Sequence, residues 1–431
     1  MPVRGVIGAI VVGGNVTGLN TVRALAPLDI PIAVILTGAD DVAHHSRWVT
    51  ESQRLGGFAA QPDRLLDRLE QQSRRWRGWV ILPTGDAAAA LVSRHRERLG
   101  RSYRVVMPAW EITRTLLHKD LTYATASRLG IDVPRVYGQA TTEMARSGAL
   151  SFPVVVKPIE SRPFVQRFGV KLFVARDRVE LIQHVRELEA AGLRGQVLDL
   201  VPGPDLLNYS QSMYVDRHGE PVAALPTRRL RKSPPFFGVT RVGEIARTDA
   251  LREPTLAFLR HIGWHGMVSA EWKLDPRDGR FRLMDINGRP FLTMGLLRRA
   301  GVNYPLLAWQ DAVLGHPIAP RPNGWDGVWS NVPEDLYYGL FFRRKVEGLS
   351  LREYVAPYRR PKMYSVWSAA DPGPFVAQCR LIAAKVLQAA RDPGQRAKLR
   401  CHVQVIPPPP ADGSDPRDGS VTDRTGPSQR S

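Results

Sequence analysis

Residues 6–12, VIGAIVV, form an unbroken apolar run, and a second run, PIAVIL, follows at 31–36 after a glycine turn and a helical stretch at 19–28. A strand apolar on both faces belongs inside a parallel sheet covered by helices. A helical pattern over 63–72, a third strand at Trp79–Leu82 and an alanine-rich helix over 87–99 continue the rhythm. Strands alternating with helices dictate a parallel α/β sheet. Ligands of such sheets sit beyond the carboxyl ends of the strands, which places Gly13–Thr17 and Thr84–Asp86 on a binding edge. The first turn reads G-G-N-V-T-G, not G-x-G-x-x-G. The second strand ends at Thr37 with no acid for a ribose, and Leu19-Asn20 stands where a P-loop needs Lys-Ser/Thr. The edge therefore reads as a structural turn or a substrate-side edge.

At 431 residues the chain exceeds what one hydrophobic core serves, so two or three domains are expected. No apolar run reaches the ~20 residues that span a bilayer, so a membrane protein is not expected. The start reads as a first strand, because Gly13, Gly14, Asn15, Thr17 and Asn20 interrupt what would be a signal-peptide core. Two cysteines, Cys379 and Cys401, argue against a disulfide framework and fit a reducing cytosol, hence a cytoplasmic location. The net charge of +19 invites a polyanion partner, but it is spread along the chain and is mostly arginine. Nucleic acid is not the expected partner. No lysine occurs among the first 118 residues, so the few that follow draw interest as compact point charges.

Two acidic strands carry the chemistry. Ser269–Asp275 and Arg282–Pro290 flank Pro276-Arg277-Asp278-Gly279-Arg280, a hairpin signal. Pairing brings Glu271, Asp285 and Asn287 to one end of a sheet, with Asp285 and Asn287 on one face. Three hard oxygen ligands suit Mg²⁺, which accepts one or two carboxylates and completes its shell with water and phosphate. Arg289 adds a cation for phosphate or a developing oxyanion. Upstream, Lys119 rides a helix closed by Gly130, Lys157 ends the strand from Phe152, and a strand from Val197 leads through Asp199 to the turn Pro202-Gly203-Pro204-Asp205. The basic strand Arg228–Lys232 precedes a loop, Ser233–Gly238, that would sit over a cleft. His261 and His265 have a metal spacing only if helical, and Gly263 between them points to a structural role.

In this order the residues resemble the ATP-grasp superfamily of ATP-dependent ligases over about 115–315, with 1–114 similar to the Rossmann-like domain that precedes the grasp. The resemblance implies ATP and Mg²⁺, two ions with Mn²⁺ as a substitute, and a small carboxylate joined to an amine acceptor. It places Lys119, Lys157 and Lys171 on the phosphates, Asp199, Leu200 and Val201 in the adenine hinge, and Asp205 at the ribose. Glu271, Asp285 and Asn287 become the metal ligands. Arg289, or Arg231 of the basic strand, becomes the cation for the tetrahedral oxyanion. The usual glycine-rich phosphate loop is here Glu160–Lys171 with only Gly169, so phosphate cover falls to Arg162, Arg167 or Lys171. This variant is similar to the D-aspartate ligase and carbamoyl-phosphate-synthase-like branch. Asp199 and Asp285 each stand where glutamate is commoner.

The expected fold class is α/β: a parallel-sheet domain over 1–114, an ATP-grasp α+β domain over 115–315, a mainly helical extension over 316–405 and a disordered tail over 406–431. The extension caps the site or makes a contact such as a homodimer. The expected function is ATP-dependent amide formation through an acyl phosphate. The alternatives are a bicarbonate-using carboxylase or carbamoyl-phosphate-synthase type of enzyme, and a non-catalytic nucleotide or nucleic-acid binder.

Overall fold

The computed structural model describes residues 6–391 except 57, 59, 60 and 343–346, so the tail expected at 406–431 lies outside the described residues. The first sheet is parallel throughout. It holds β1 (Ala9–Val12), β2 (Ile32–Leu36), β3 (Glu51–Arg54), β4 (Val80–Pro83) and β5 (Arg104–Val105) in the order β3-β2-β1-β4-β5. The apolar run of β1 has a simple cause. Ile10 and Val12 face one core, with Trp76 and Leu91, while Ala9 and Val11 face another, with Leu19 and Val22. Strand order reverses at β1, so the crevice beyond Gly13 and Thr84 is the topological switch point. The helix expected from residue 19 starts earlier, at Val16, because the Asn15 side chain caps it by accepting from the N–H groups of Thr17 (3.0 Å) and Gly18 (3.2 Å).

The second sheet is antiparallel: β6 (Val136–Gln139), β7 (Val154–Pro158), β8 (Phe173–Ala175) and β9 (Gly195–Asp199), in the order β6-β9-β7-β8. One face, with Val154, Val156 and Val197, packs on the helix Arg178–Ala190. The other, with Val155, Val174 and Leu198, meets Tyr123 and Leu200.

The third sheet contains β10 (Asn208–Val215), β11 (Pro221–Ser233), β12 (Val239–Ile245), β13 (Gly266–Asp275), β14 (Arg280–Asn287), β15 (Val328–Ser330) and β16 (Lys362–Tyr364). Its order is β14-β13-β10-β11-β12-β15-β16. The extension expected to be mainly helical thus also supplies two strands, which cover the edge of β12. Its last helix, Gly373–Arg391, runs close to the helix expected at 376–391.

Asp371 binds the extension to the first sheet's layer. Its carboxylate is 1% exposed and accepts from Arg23 Nε (3.0 Å), Ser46 Oγ (2.9 Å) and the Arg47 N–H (3.0 Å). Arg23 also donates to the carbonyls of Val366 (2.8 Å) and Asp371 (2.9 Å). Removing one partner of a buried pair strands the other charge. Asp371→Ala should therefore lower stability by about 3–5 kcal/mol, read by urea unfolding, and a loss below ~1 kcal/mol would show that the contact is dispensable.

Candidate functional site

The hairpin β13–β14 pairs Glu271 with Asp285 and Ser269 with Asn287, which sets both carboxylates and the amide on one face. The ladder then shifts: Trp272 pairs with Leu283, and Met284 is left without a partner in the register. A bulge frees a backbone group for other use. The Met284 carbonyl accepts from Tyr123 Oη (2.9 Å) and Lys157 Nζ (2.7 Å), and Lys157 also donates to Tyr123 Oη (2.6 Å). The second sheet and the helix Lys119–Arg128 are thereby drawn onto the acidic hairpin.

Glu271, Asp285 and Asn287 each have a cation or donor beside them. Lys119 pairs with Asp285, and Arg229 of β11 pairs with Glu271 at 2.6 Å. Asn287 donates to Glu271 (3.3 Å) and accepts from Arg289 Nη2 (3.0 Å). Arg289 Nε donates to Asp86 at 2.5 Å, so the first sheet contributes through the helix Asp86–Arg94, on the edge expected from Thr84–Asp86. Burial opposes charge on Glu271, yet Arg229, Lys171 and Lys232 hold its carboxyl well below the usual carboxylate range. Burial lowers Lys157, with Asp285 and Glu271 pulling the other way. Lys171 is also lowered by burial, and it stands within electrostatic reach of Glu271, Arg229, Asp285 and Arg289. Burial opposes the Arg289 cation, but Asp86 raises it.

Strand β9 leads into Leu200 and Val201, both buried. Leu200 joins Tyr123, Val155, Val174 and Leu198 in an apolar cluster against which Phe236 and Phe237 pack. Lys273 Nζ anchors the segment that follows β9 through the carbonyls of Val201 (2.8 Å) and Gly203 (3.1 Å). Asp199 does not open onto this cluster: its carboxylate accepts from Arg277 of the hairpin turn at 2.6 Å.

Three expectations need correction. Asp205 does not reach toward a ribose, because its carboxylate accepts from the N–H groups of Lys232 (2.9 Å) and Phe236 (3.1 Å) and so anchors the loop 233–238. Arg231 is not in the cleft. The β11 ladder bulges between Arg229 and Arg231, so Arg231 turns away to Asp335 while Arg229 takes the place facing Glu271. Residues Ser161–Phe168 form a helix, not an open loop, because Pro163 is tolerated in a first turn, Phe164 is buried and Gly169 at φ 74° ends the helix. Arg167 lies over the Phe168 ring, and the Arg162 side chain lies outside the described residues. As Gly263 led one to expect, the helix Arg252–Ile262 stops there, so His261 and His265 are not one turn apart. Arg229 and Tyr123 were missed as individual residues. The basic run 228–232 marked the strand, but only the bulge selects Arg229.

Among the described residues no group of three His, Cys, Asp or Glu side chains stands close enough to hold a metal. The donor set is two carboxylates and one amide, Glu271, Asp285 and Asn287, on adjacent strands at a cleft. That set fits Mg²⁺, which needs few protein ligands when phosphate and water supply the rest.

No family model matches the chain. A D-aspartate ligase of Enterococcus faecium is 24% identical over 315 residues, covering 68% of this chain and 73% of the relative. The chain is similar to that ligase in sequence, in keeping with the ATP-grasp resemblance of its motifs. The L-amino acid ligase of Bacillus licheniformis shares the fold, with a TM-score of 0.58 and 16% identity over 74% of this chain and 76% of that one. So does the biotin carboxylase domain of the 2-oxoglutarate carboxylase of Hydrogenobacter thermophilus, solved with MgADP and bicarbonate. It gives a TM-score of 0.57 and 15% identity over 75% of this chain and 74% of that one. No described helix of the chain is long and apolar enough to cross a membrane.

Lys232, beside the cleft, gives a test of this electrostatic picture. Burial lowers its ammonium to about 7 from 10.5, against the attraction of Asp205. Between those values the unfolded chain holds the extra proton, so stability should rise with pH by up to ~1.4 kcal/mol per unit. Lys232→Met should remove that rise, leaving only the narrower one from Lys273, which burial lowers to about 8. Urea unfolding from pH 7 to 10 reads the slope, and an unchanged slope would show that Lys232 titrates normally.

Proposed function

We propose that this chain is an ATP- and Mg²⁺-dependent carboxylate–amine ligase that forms an amide through an acyl phosphate. One observation carries the reading: Lys119, Lys157 and Arg229, from three separate elements, converge on the Glu271–Asp285–Asn287 hairpin, beside Arg289 of its own continuation. Such a field is built for a polyphosphate and for charge developing on transferred oxygens. Glu271, Asp285 and Asn287 would hold two Mg²⁺ or Mn²⁺ ions, which when bound neutralise phosphate charge.

In this reading Lys119, Lys157 and Lys171 bind phosphate oxygens. The apolar cluster at Leu200 takes the adenine, and the hinge backbone of Leu200 and Val201 meets its polar edge. A carboxylate oxygen of the donor acid attacks the γ-phosphorus, the bond to the bridging oxygen breaks, and ADP leaves with that electron pair. The amine then attacks the acyl carbon, phosphate departs, and the ammonium proton is lost to solvent. Arg229 and Arg289 hold the negative oxygens of both steps. The relative's name places D-aspartate first among acids to try, and the structural neighbours add L-amino acids and bicarbonate. We place the reaction in the cytoplasm, where nucleotide is abundant and the exposed Cys379 stays a free thiol.

Mg²⁺-dependent ADP release, measured against these acids with and without amines, tests the proposal. Release that requires an acid and an amine together supports ligation. Release with bicarbonate alone would move the chain to the carboxylase type, and nucleotide binding without turnover on any pair would make it a binder. Asp285→Ala should lower turnover by at least ~100-fold with the thermal transition retained, exceeding the usual ~10–100-fold cost of losing an outer-shell partner. Lys157→Ala should weaken MgADP binding in calorimetry by roughly 10–100-fold, the scale of one charged hydrogen bond. Unchanged affinity would remove Lys157 from the phosphate site.

A further inference from the structure

Side chains two residues apart on a regular strand point to the same face, so Arg229 and Arg231 should share one. They do not. On β12, Arg229 pairs with Gly243 and Arg231 with Val242, a shift of one residue where two are required. The result separates two neighbouring cations. Arg229 turns to Glu271 and keeps its Nε without a partner, although the residue is only 9% exposed. Arg231 turns to the C-terminal extension, where it donates to both oxygens of Asp335 (2.9 and 2.8 Å) and to the Tyr354 carbonyl (2.9 Å).

Asp335 bridges the two strands at the bulge. Besides Arg231 of β11 it accepts from Arg241 Nε of β12 (2.7 Å) and Tyr358 Oη (2.6 Å), and both it and Arg241 are fully buried. Glu347 accepts from the far end of Arg241 at 2.6 Å. Without the Asp335 charge, two buried guanidiniums would stand side by side with one carboxylate between them. The strand can relieve this by slipping its bulge, because a one-residue slip turns a side chain to the opposite face. If the bulge moves past Arg229, that side chain joins Arg231 on the far face and leaves the cleft.

We propose that Asp335 is a positioning residue for ligation: by clamping Arg231 and Arg241 it holds the bulge that aims Arg229, with its unpartnered Nε, at an anionic oxygen in the cleft. The extension thus acts on the chemistry without touching the reactants. This rests on the ligase reading for what Arg229 meets, while the clamp itself is a statement about β11 alone.

The crystal structure of Asp335→Asn tests the clamp without any activity. The bulge should move and the Arg229–Glu271 pair, 2.6 Å here, should break; a structure with both intact overturns the inference. The kinetic arm uses Mg²⁺-dependent ADP release with D-aspartate and an amine. Asp335→Asn should lower kcat by roughly 10–100-fold while the KM for ATP stays within about threefold. Arg229→Met should cost as much, and the double variant no more than Arg229→Met alone. Losses that multiply in the double variant would make Asp335 merely structural and overturn the proposal. Arg229→Met with full activity would instead overturn the ligase reading of the cleft. Should Asp335→Asn fail to fold, Tyr358→Phe removes a single hydrogen bond to the same carboxylate and should give a smaller kcat loss with the same non-additivity.

Discussion

Two partly buried carboxylates that face each other on one hairpin set a demand that three sheets answer. Glu271 and Asp285 face each other across the β13–β14 ladder, and each needs a cation. Asp285 takes Lys119 from a helix next to the second sheet, and Glu271 takes Arg229 from β11. Asn287 hands Arg289 on to Asp86 at the edge of the first sheet. The bulge beside the pair exposes the Met284 carbonyl, which receives Lys157. Remove the hairpin acids and Lys119 and Arg229 lose the partners that tie their elements to the hairpin.

The C-terminal extension serves the same arrangement from outside. Asp371 ties it to the helix Val16–Leu25 through Arg23, and Asp335 ties it to β11 and β12 through Arg231 and Arg241. Both aspartates are essentially inaccessible to water and both carry several donors, the condition under which a buried charge stabilises one arrangement over others. An arginine-rich composition that looked like a polyanion surface is partly spent inside the molecule.

Much of the fold was legible because it follows from local periodicity. The apolar runs at 6–12, 31–36 and 79–82 marked a doubly covered parallel sheet, and the turn at 276–280 marked the hairpin. The acidic set was legible because strand alternation and hairpin pairing are short-range rules. What stayed hidden depended on register shifts and distant partners. Residues 160–171 read as a degenerate loop, yet Phe164 found a core to fill and the segment became a helix. Asp205 looked free to meet a ligand, but the loop 233–238 came back to claim it.

By itself the sequence determined the parallel sheet, the acidic hairpin and the ordered lysines, since strand period, turn chemistry and side-chain charge are properties of contiguous residues. Only the tertiary structure decided which arginine of the run 228–232 faces the cleft, which acid holds the other, and which carbonyl Lys157 meets. A bulge has no periodic signature, and an ion pair spanning 104 residues, Arg231 with Asp335, exists only once the chain has folded.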